Sequence, residues 1–355
     1  MRIGLLVLFQ ARAGVSDAQM WRDELDLALQ AESLGFDWLM AVEHHFTDYA
    51  MCPDNAQTLA YLAARTKHVQ LFPAAFILPW NDPLRVAEKI VLLDHLSEGR
   101  AILGLGRGLS RIEFDGFCVA MSEARERFDE AAEMILRALD SGFIEGQGKY
   151  YPQPKTELRP RPMRAFRDRS YMVGSSPASI QVAAQLGLAC MRFSDGDWTL
   201  MTPEVQAYRM SYEHLHRRAA PPLLATDLLF CDTNDRVAVA LGRQYQVAYW
   251  ESLVRHYEML DAAHFRRAGA SYAHYAAVSE RAQSLPRNYA AEDYLAGNLA
   301  GDPQRILDKL VQRRAAIGSF DLALIVRYSD MPLEAAYRSL RLFAERIMPQ
   351  IKNWT

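Results

Sequence analysis

The sequence predicts an α/β chain closed into a (βα)8 TIM barrel with insertions after strands 4 and 7. Apolar runs of strand length alternate with amphipathic helical segments from end to end. Eight such units follow one another without a shift in composition. No short repeat, low-complexity tract or linker breaks the chain, so residues 1–355 are expected to form a single domain. An open, doubly wound sheet is the alternative topology.

"RIGLLVLF" (2–9) reads as the first strand, and 17–35 as a helix running from Asp17 to a stop at Gly35. Strand two is 36–43 with its helix at 54–66. Strand three is 69–78, followed by a helix over 81–99 with Pro83 in its first turn. Strand four is 100–106, and its helix is 123–142. The rhythm breaks at 143–162, where a small hairpin and a Pro-rich loop are expected. It resumes with strand five (170–175), a helix (177–187), strand six (188–193) and a helix near 203–218. Strand seven is 223–231, with a long helix over 234–260. Residues 261–290 are rich in Ala, Arg, His and Tyr with weak periodicity, and read as a mobile loop or lid. A helix (302–318), strand eight (320–326) and a last helix (332–347) complete the cycle.

Half the residues are hydrophobic, enough for a large core, and the net charge is -3 with no block of like charges. That argues against nucleic acid or a polybasic membrane surface as partner. The opening apolar run is too short to span a bilayer, and no small-residue cleavage site follows it, so a cytoplasmic protein is expected. Cys52, Cys118, Cys190 and Cys231 form no CxxC pair and suggest neither zinc nor a disulfide framework.

Functional groups of such barrels gather at the C-terminal ends of strands. "AVEHHF" (41–46) ends strand two, and alternation puts Glu43 and His45 on one face and His44 on the other. A metal would need further ligands from other strand ends. None offers His, Asp or Glu at ligand spacing, and HExxH and HxH are absent, so no metal is expected. One histidine is assigned to packing and the other to acid or base work. In "FPAAFILP" (72–79), Ala74 and Ala75 either admit something flat or serve close packing. "GLGRG" (104–108) lacks the immediate helix of a dinucleotide turn; its glycines open space and leave Arg107 at the mouth as a phosphate partner, with Arg125 as a second. In "GSSPAS" (174–179), Ser176 caps a helix that starts at Pro177, with Ser179 in the first turn. This is an anion site or an ordinary cap. The residues alone lead to a barrel, a phosphate-bearing ligand, a flat moiety and a nearby histidine.

These motifs resemble the flavin-dependent luciferase-like monooxygenases, and most closely the α subunit of bacterial luciferase. "AVEHHF", "FPAAFILPWNDPLRVAEKIVLLDHLSEGR", "GRGLSRIEF", "VGSSPASIQVAAQLG" and "AERIMPQI" carry the resemblance nearly end to end. It implies reduced FMN (FMNH2) supplied by a separate NAD(P)H:flavin reductase. It also implies O2 chemistry through a flavin C4a-hydroperoxide on a small, mostly apolar organic substrate, an aldehyde or ketone first. It implies His44 as the catalytic histidine, with His45 and Glu43 as supporting neighbours. Ala74–Ala75 would be a non-prolyl cis peptide under the flavin ring. Arg107, Ser176, Ser179 and Arg125 would hold the phosphate, and Leu109 would touch the ring through its backbone. Glu113 would be an acidic position near the flavin, Trp250 an aromatic wall of the substrate pocket, and 261–290 a mobile active-site loop.

The chain departs from luciferase α at Gly106, where that subunit has a reactive cysteine, and at Ser110 in the pocket, where it has a tyrosine. Ser175 stands in the phosphate region in place of a glutamate. Light emission is not expected, and a homodimer is. A deazaflavin (F420)-dependent oxidoreductase and a non-catalytic flavin-binding partner subunit are the competing readings.

Overall fold

The computed structural model describes residues 1–354. The apolar runs become strands in chain order: β1 (Ile3–Val7), β2 (Trp38–Ala41), β3 (Gln70–Pro73), β4 (Phe76–Ile77), β5 (Leu103–Gly106), β6 (Phe143–Gly146), β7 (Gln153–Glu157), β8 (Ser170–Val173), β9 (Ala189–Phe193), β10 (Leu223–Cys231), β11 (Leu299–Gly301) and β12 (Phe320–Ile325). The main sheet runs β3-β2-β1-β12-β10-β9-β8-β5-β4, and every pair along it is parallel. A parallel bridge from Leu71 to Ala101 ties β3 to the start of the β5 segment, so the ring is nearly closed. Helices surround it. Parallel strands covered in this way must be apolar on both faces, which is why β1 and β10 are buried at every residue.

Most expected elements fall where the periodicity places them. β10 covers 223–231 in full, and the hairpin expected in 143–162 is the antiparallel pair β6–β7. Two expectations need correction. The third strand is not continuous over 69–78. It splits at a cis peptide between Ala74 and Ala75, with Ala74 N donating to Ala41 O (2.8 Å) and Asn55 Nδ2 to Ala75 O (3.0 Å). Residues 261–290 are not a loop. They contain the helices Ala262–Arg267 and Ala273–Ser284 and the start of Arg287–Leu295. These helices are short and bury mainly small residues, such as Ala262, Ala276 and Ala290, so the apolar stripe is faint in the sequence. Short helices depend on tertiary packing more than on their own propensity. Here Phe265 and Tyr272 supply it, both fully buried.

Candidate active site

The chain leaves β2 at Ala41 and turns through "VEHHF". His44 N donates to Cys52 O (3.1 Å), which pins the returning loop. The alternation read from the sequence holds. Glu43 and His45 face each other, with His45 Nε2 3.5 Å from Glu43 Oε1, while His44 points elsewhere. Glu43 is buried and accepts from Trp80 Nε1 (2.8 Å), Asn81 Nδ2 (2.8 Å) and Ile77 N (3.3 Å). Its lone pairs are spent bracing the turn after β4. His45 packs edge-on against Phe117 and Trp80. Both residues support the turn, and His44 turns to different partners.

His44 Nδ1 lies 2.9 Å from Glu113 Oε1, and the same oxygen accepts from His45 N at 2.8 Å. Glu113 comes from the short helix Arg111–Gly116 just beyond β5 and is 1% exposed. Burial alone would push its carboxyl up. The His44 imidazole and its hydrogen bond, His256 and the His45 N–H outweigh burial and hold it below the ordinary range. An ionised carboxylate only accepts, so His44 carries its proton on Nδ1 and presents the Nε2 lone pair. Tyr257 O–H lies 3.3 Å from that Nε2.

His256 completes the cluster. Its Nε2 is 3.7 Å from Glu113 Oε1, its Nδ1 is 2.9 Å from Thr47 Oγ1, and its ring stacks on Tyr49 with centroids 4.5 Å apart. Burial, and then the neighbouring His44, push its pKa down to about 3 against the opposing pull of Glu113. Ser110, expected to line the substrate pocket, is fully buried and donates through Oγ to the His256 carbonyl (3.1 Å), anchoring this helix end.

One ligand atom each from His44, Glu113 and His256 lies within 4.8 Å of the others, close enough to surround a cation. This grouping is not apparent at the strand ends, because Glu113 and His256 sit on helices. Glu113 Oε1 already accepts two hydrogen bonds, so a metal would have to displace His44 Nδ1–H.

The expected phosphate residues also converge. Ser176 caps the helix Pro177–Gln185; its Oγ accepts from Ser179 N (3.2 Å) and donates to Ser179 Oγ (2.9 Å). Arg125 Nη2 donates to Ser179 Oγ (3.3 Å) and Nη1 to Asp129 (3.5 Å). Burial, and then Arg107, push the Arg125 guanidinium below its usual range. Arg107 is 6% exposed and forms no ion pair among the described residues. It donates to Ser271 O (3.1 Å) and lies over the Tyr272 ring (4.4 Å). The buried Arg107 and the half-buried Arg125 thus lie beside helix-terminal hydroxyls, an arrangement whose charge suits an anion. Ser175 and Leu109 flank it, both half-buried.

The floor between these groups is made of small residues. A Cβ on Gly106 would lie 2.8 Å from Ile77 Cδ1 and 3.5 Å from Ala75 Cβ, and one on Gly104 only 2.0 Å from Pro73 O. Trp250 lines a separate cavity with Leu253, Val254, Met259, Leu285 and Tyr294, beneath the 261–295 insertion. Arg287 closes over it, stacking on Trp250 (4.7 Å) and pairing with Glu251.

The luciferase-like monooxygenase family model matches residues 1–319. An alkanal monooxygenase alpha chain from the Kryptophanaron alfredi symbiont is 22% identical over 99% of both chains. The protein y4wF of Sinorhizobium fredii is 33% identical over 180 residues, and the chain spans about half, 53%, of its length. The crystal structure of monooxygenase RslO1 from Streptomyces bottropensis has a TM-score of 0.82 at 26% identity over 99% of both chains. Two more distant structures share the fold. One is the oxygenating constituent of the type II Baeyer-Villiger enzyme 3,6-diketocamphane monooxygenase from Pseudomonas putida, in complex with FMN, at 18% identity over 99% of this chain and 98% of that one (TM-score 0.74). The other is an F420-dependent secondary alcohol dehydrogenase at 16% identity over 98% of both chains (TM-score 0.72). The chain belongs to the luciferase-like monooxygenase family, whose members are flavin-dependent enzymes on this nearly closed parallel barrel.

Proposed function

We propose that the chain is an FMNH2-dependent monooxygenase that uses O2 to oxidise a small, mostly apolar organic substrate, with aldehydes and ketones first. The observation that carries this reading is one juxtaposition at one barrel mouth. The imidazole held by a buried carboxylate, His44–Glu113, and the buried Arg107, which has no ion pair among the described residues, both lie beyond the C-terminal ends of parallel strands, β2 and β5.

FMN fits the residues present. Arg107, Arg125, Ser176 and Ser179 suit its phosphate, and the N-terminus of the helix Pro177–Gln185 adds its dipole. A Cβ at Gly106 would meet Ile77 Cδ1 at 2.8 Å, so that glycine serves close packing, and Ala74 and Ala75 are the small residues offered to a flat ring. When bound, the reduced cofactor supplies the electrons that O2 chemistry needs. Glu113 holds His44 with Nε2 free to take or return a proton. The insertion over 261–290 acts as a lid that excludes water. The cavity lined by Trp250 suits an apolar substrate. A separate NAD(P)H:flavin reductase as the FMNH2 source, a homodimer and a cytoplasmic location complete the proposal.

The test is anaerobic loading with FMNH2, mixing with O2, and measurement of oxygen uptake and product across aldehydes and ketones. His44→Ala should keep the fold and FMN affinity and lose most turnover. Unchanged turnover would remove His44 from its role. Substrate reduction by a reduced deazaflavin without oxygen uptake would move the chain to hydride transfer. FMN binding without any turnover would make it a binding subunit.

A further inference from the structure

We infer that Tyr257 is the group through which His44 exchanges its proton with the reacting oxygen. The inference rests on the monooxygenase reading above. His44 has two ring nitrogens, and Glu113 occupies Nδ1. Its Nε2 faces the Tyr257 hydroxyl at 3.3 Å, so a proton leaving His44 at Nε2 meets this phenol first. Hydrogen bonds of catalytic groups are often this long before a ligand arrives.

The phenol is held in place rather than left to swing. Tyr257 caps the helix Asp235–His256 with its N–H on Leu253 O. Its ring meets His256 edge-on at 4.6 Å, Tyr49 at 5.5 Å and His44 at 6.0 Å. Tyr49 O–H is in turn 2.6 Å from Tyr249 O–H. Tyr257 as a whole residue is half-buried, and Tyr49 is a second polar neighbour of its hydroxyl.

The titratable groups around it are His44, Glu113, His256, Tyr49, Tyr249 and Tyr275. Burial, and then the Glu113 charge, hold the Tyr257 phenol well above its ordinary range, so it does not serve as a free phenolate. It works as a relay. A bound O–H gives its proton to the Tyr257 oxygen while the Tyr257 proton passes to His44 Nε2. One O–H bond breaks and forms at the phenol, one N–H bond forms at His44, and the new positive charge lies beside Glu113. Proton donation is the same path reversed. The phenol is neutral before and after.

The test compares wild type, Tyr257→Phe, His44→Ala and the exposed control Tyr61→Phe. In the cofactor-free protein, 15N-histidine NMR should show the His44 Nε2 resonance displaced in Tyr257→Phe, with the Nδ1–H signal retained. In turnover, Tyr257→Phe should lose about 10²-fold in kcat, the lower end for a positioned proton-transfer group, with FMN affinity unchanged. Tyr61→Phe should match wild type. A proton inventory of wild type in mixed H2O/D2O needs no variant, and should curve as two protons move together. A linear inventory, or an undisturbed His44 resonance with full turnover in Tyr257→Phe while His44→Ala is dead, overturns the relay alone. An inactive wild type overturns the monooxygenase reading, and the relay with it.

Discussion

Replacing His256 with asparagine should flatten the acid side of the stability profile. The imidazole is 3% exposed and stacked on Tyr49, with its pKa held down at about 3 by burial first and by His44 second. In the unfolded chain it returns to about 6.5. The unfolded state therefore binds one more proton than the folded state between those values. The stability tied to the neutral imidazole is complete above pH 6.5 and is lost as pH falls towards 3. A gap of about 3.5 pH units at 1.36 kcal/mol each sets an upper bound of roughly 5 kcal/mol. Within the window the slope is about 1.4 kcal/mol per pH unit. Asparagine does not titrate and keeps an oxygen for the Thr47 hydroxyl. Its own cost, about 1–3 kcal/mol for lost packing, is the same at every pH. Urea unfolding from pH 8 to pH 4 should show wild type losing its lead over His256→Asn as the pH drops. Parallel profiles for the two proteins would mean that the imidazole protonates freely in the fold, and would refute the sealed cluster.

Other perturbations read other parts of the site. Glu113→Gln removes the charge that fixes the His44 tautomer; a charge-assisted hydrogen bond of about 1.5–3 kcal/mol translates to a kcat loss of roughly 10- to 150-fold. Arg107→Ala should erase most of the preference for FMN over riboflavin, measured by fluorescence titration, because the phosphate loses its buried partner. Trp250→Ala should raise KM for the organic substrate more than it lowers kcat, and should lower Tm by opening the cavity and freeing Arg287. Dialysis against EDTA should leave turnover intact, since His44 Nδ1 and His45 N already engage Glu113 Oε1.

The barrel was legible because buried parallel strands must be continuous apolar runs, and β1 and β10 are. The Ser176 cap was legible because Ser-Pro at a helix start is a local signal. What stayed hidden was non-local or weakly patterned. No periodicity marks the interruption at Ala74–Ala75; only the family resemblance implied the cis peptide found there. The insertion helices bury alanines and so show little stripe. Glu113 stood out only as an acidic residue, because its partner His44 is 69 residues away. His256 and Tyr257 meet His44 across more than 200 residues and come from a helix end, where strand-end reasoning does not look. The His/Tyr-rich run after Trp250 was the available clue. That the Ser110 hydroxyl turns back to His256 O is likewise not visible in the sequence.

The most direct measurement is isotopic. Wild type and His44→Ala are loaded with FMNH2, mixed with 18O2 and a ketone or aldehyde, and the product is analysed by mass spectrometry. One 18O atom should appear in the wild-type product and almost none with His44→Ala, although both bind FMN equally. Product that forms without 18O, or equal incorporation by the two proteins, would contradict an O2-dependent oxygenation that runs through His44.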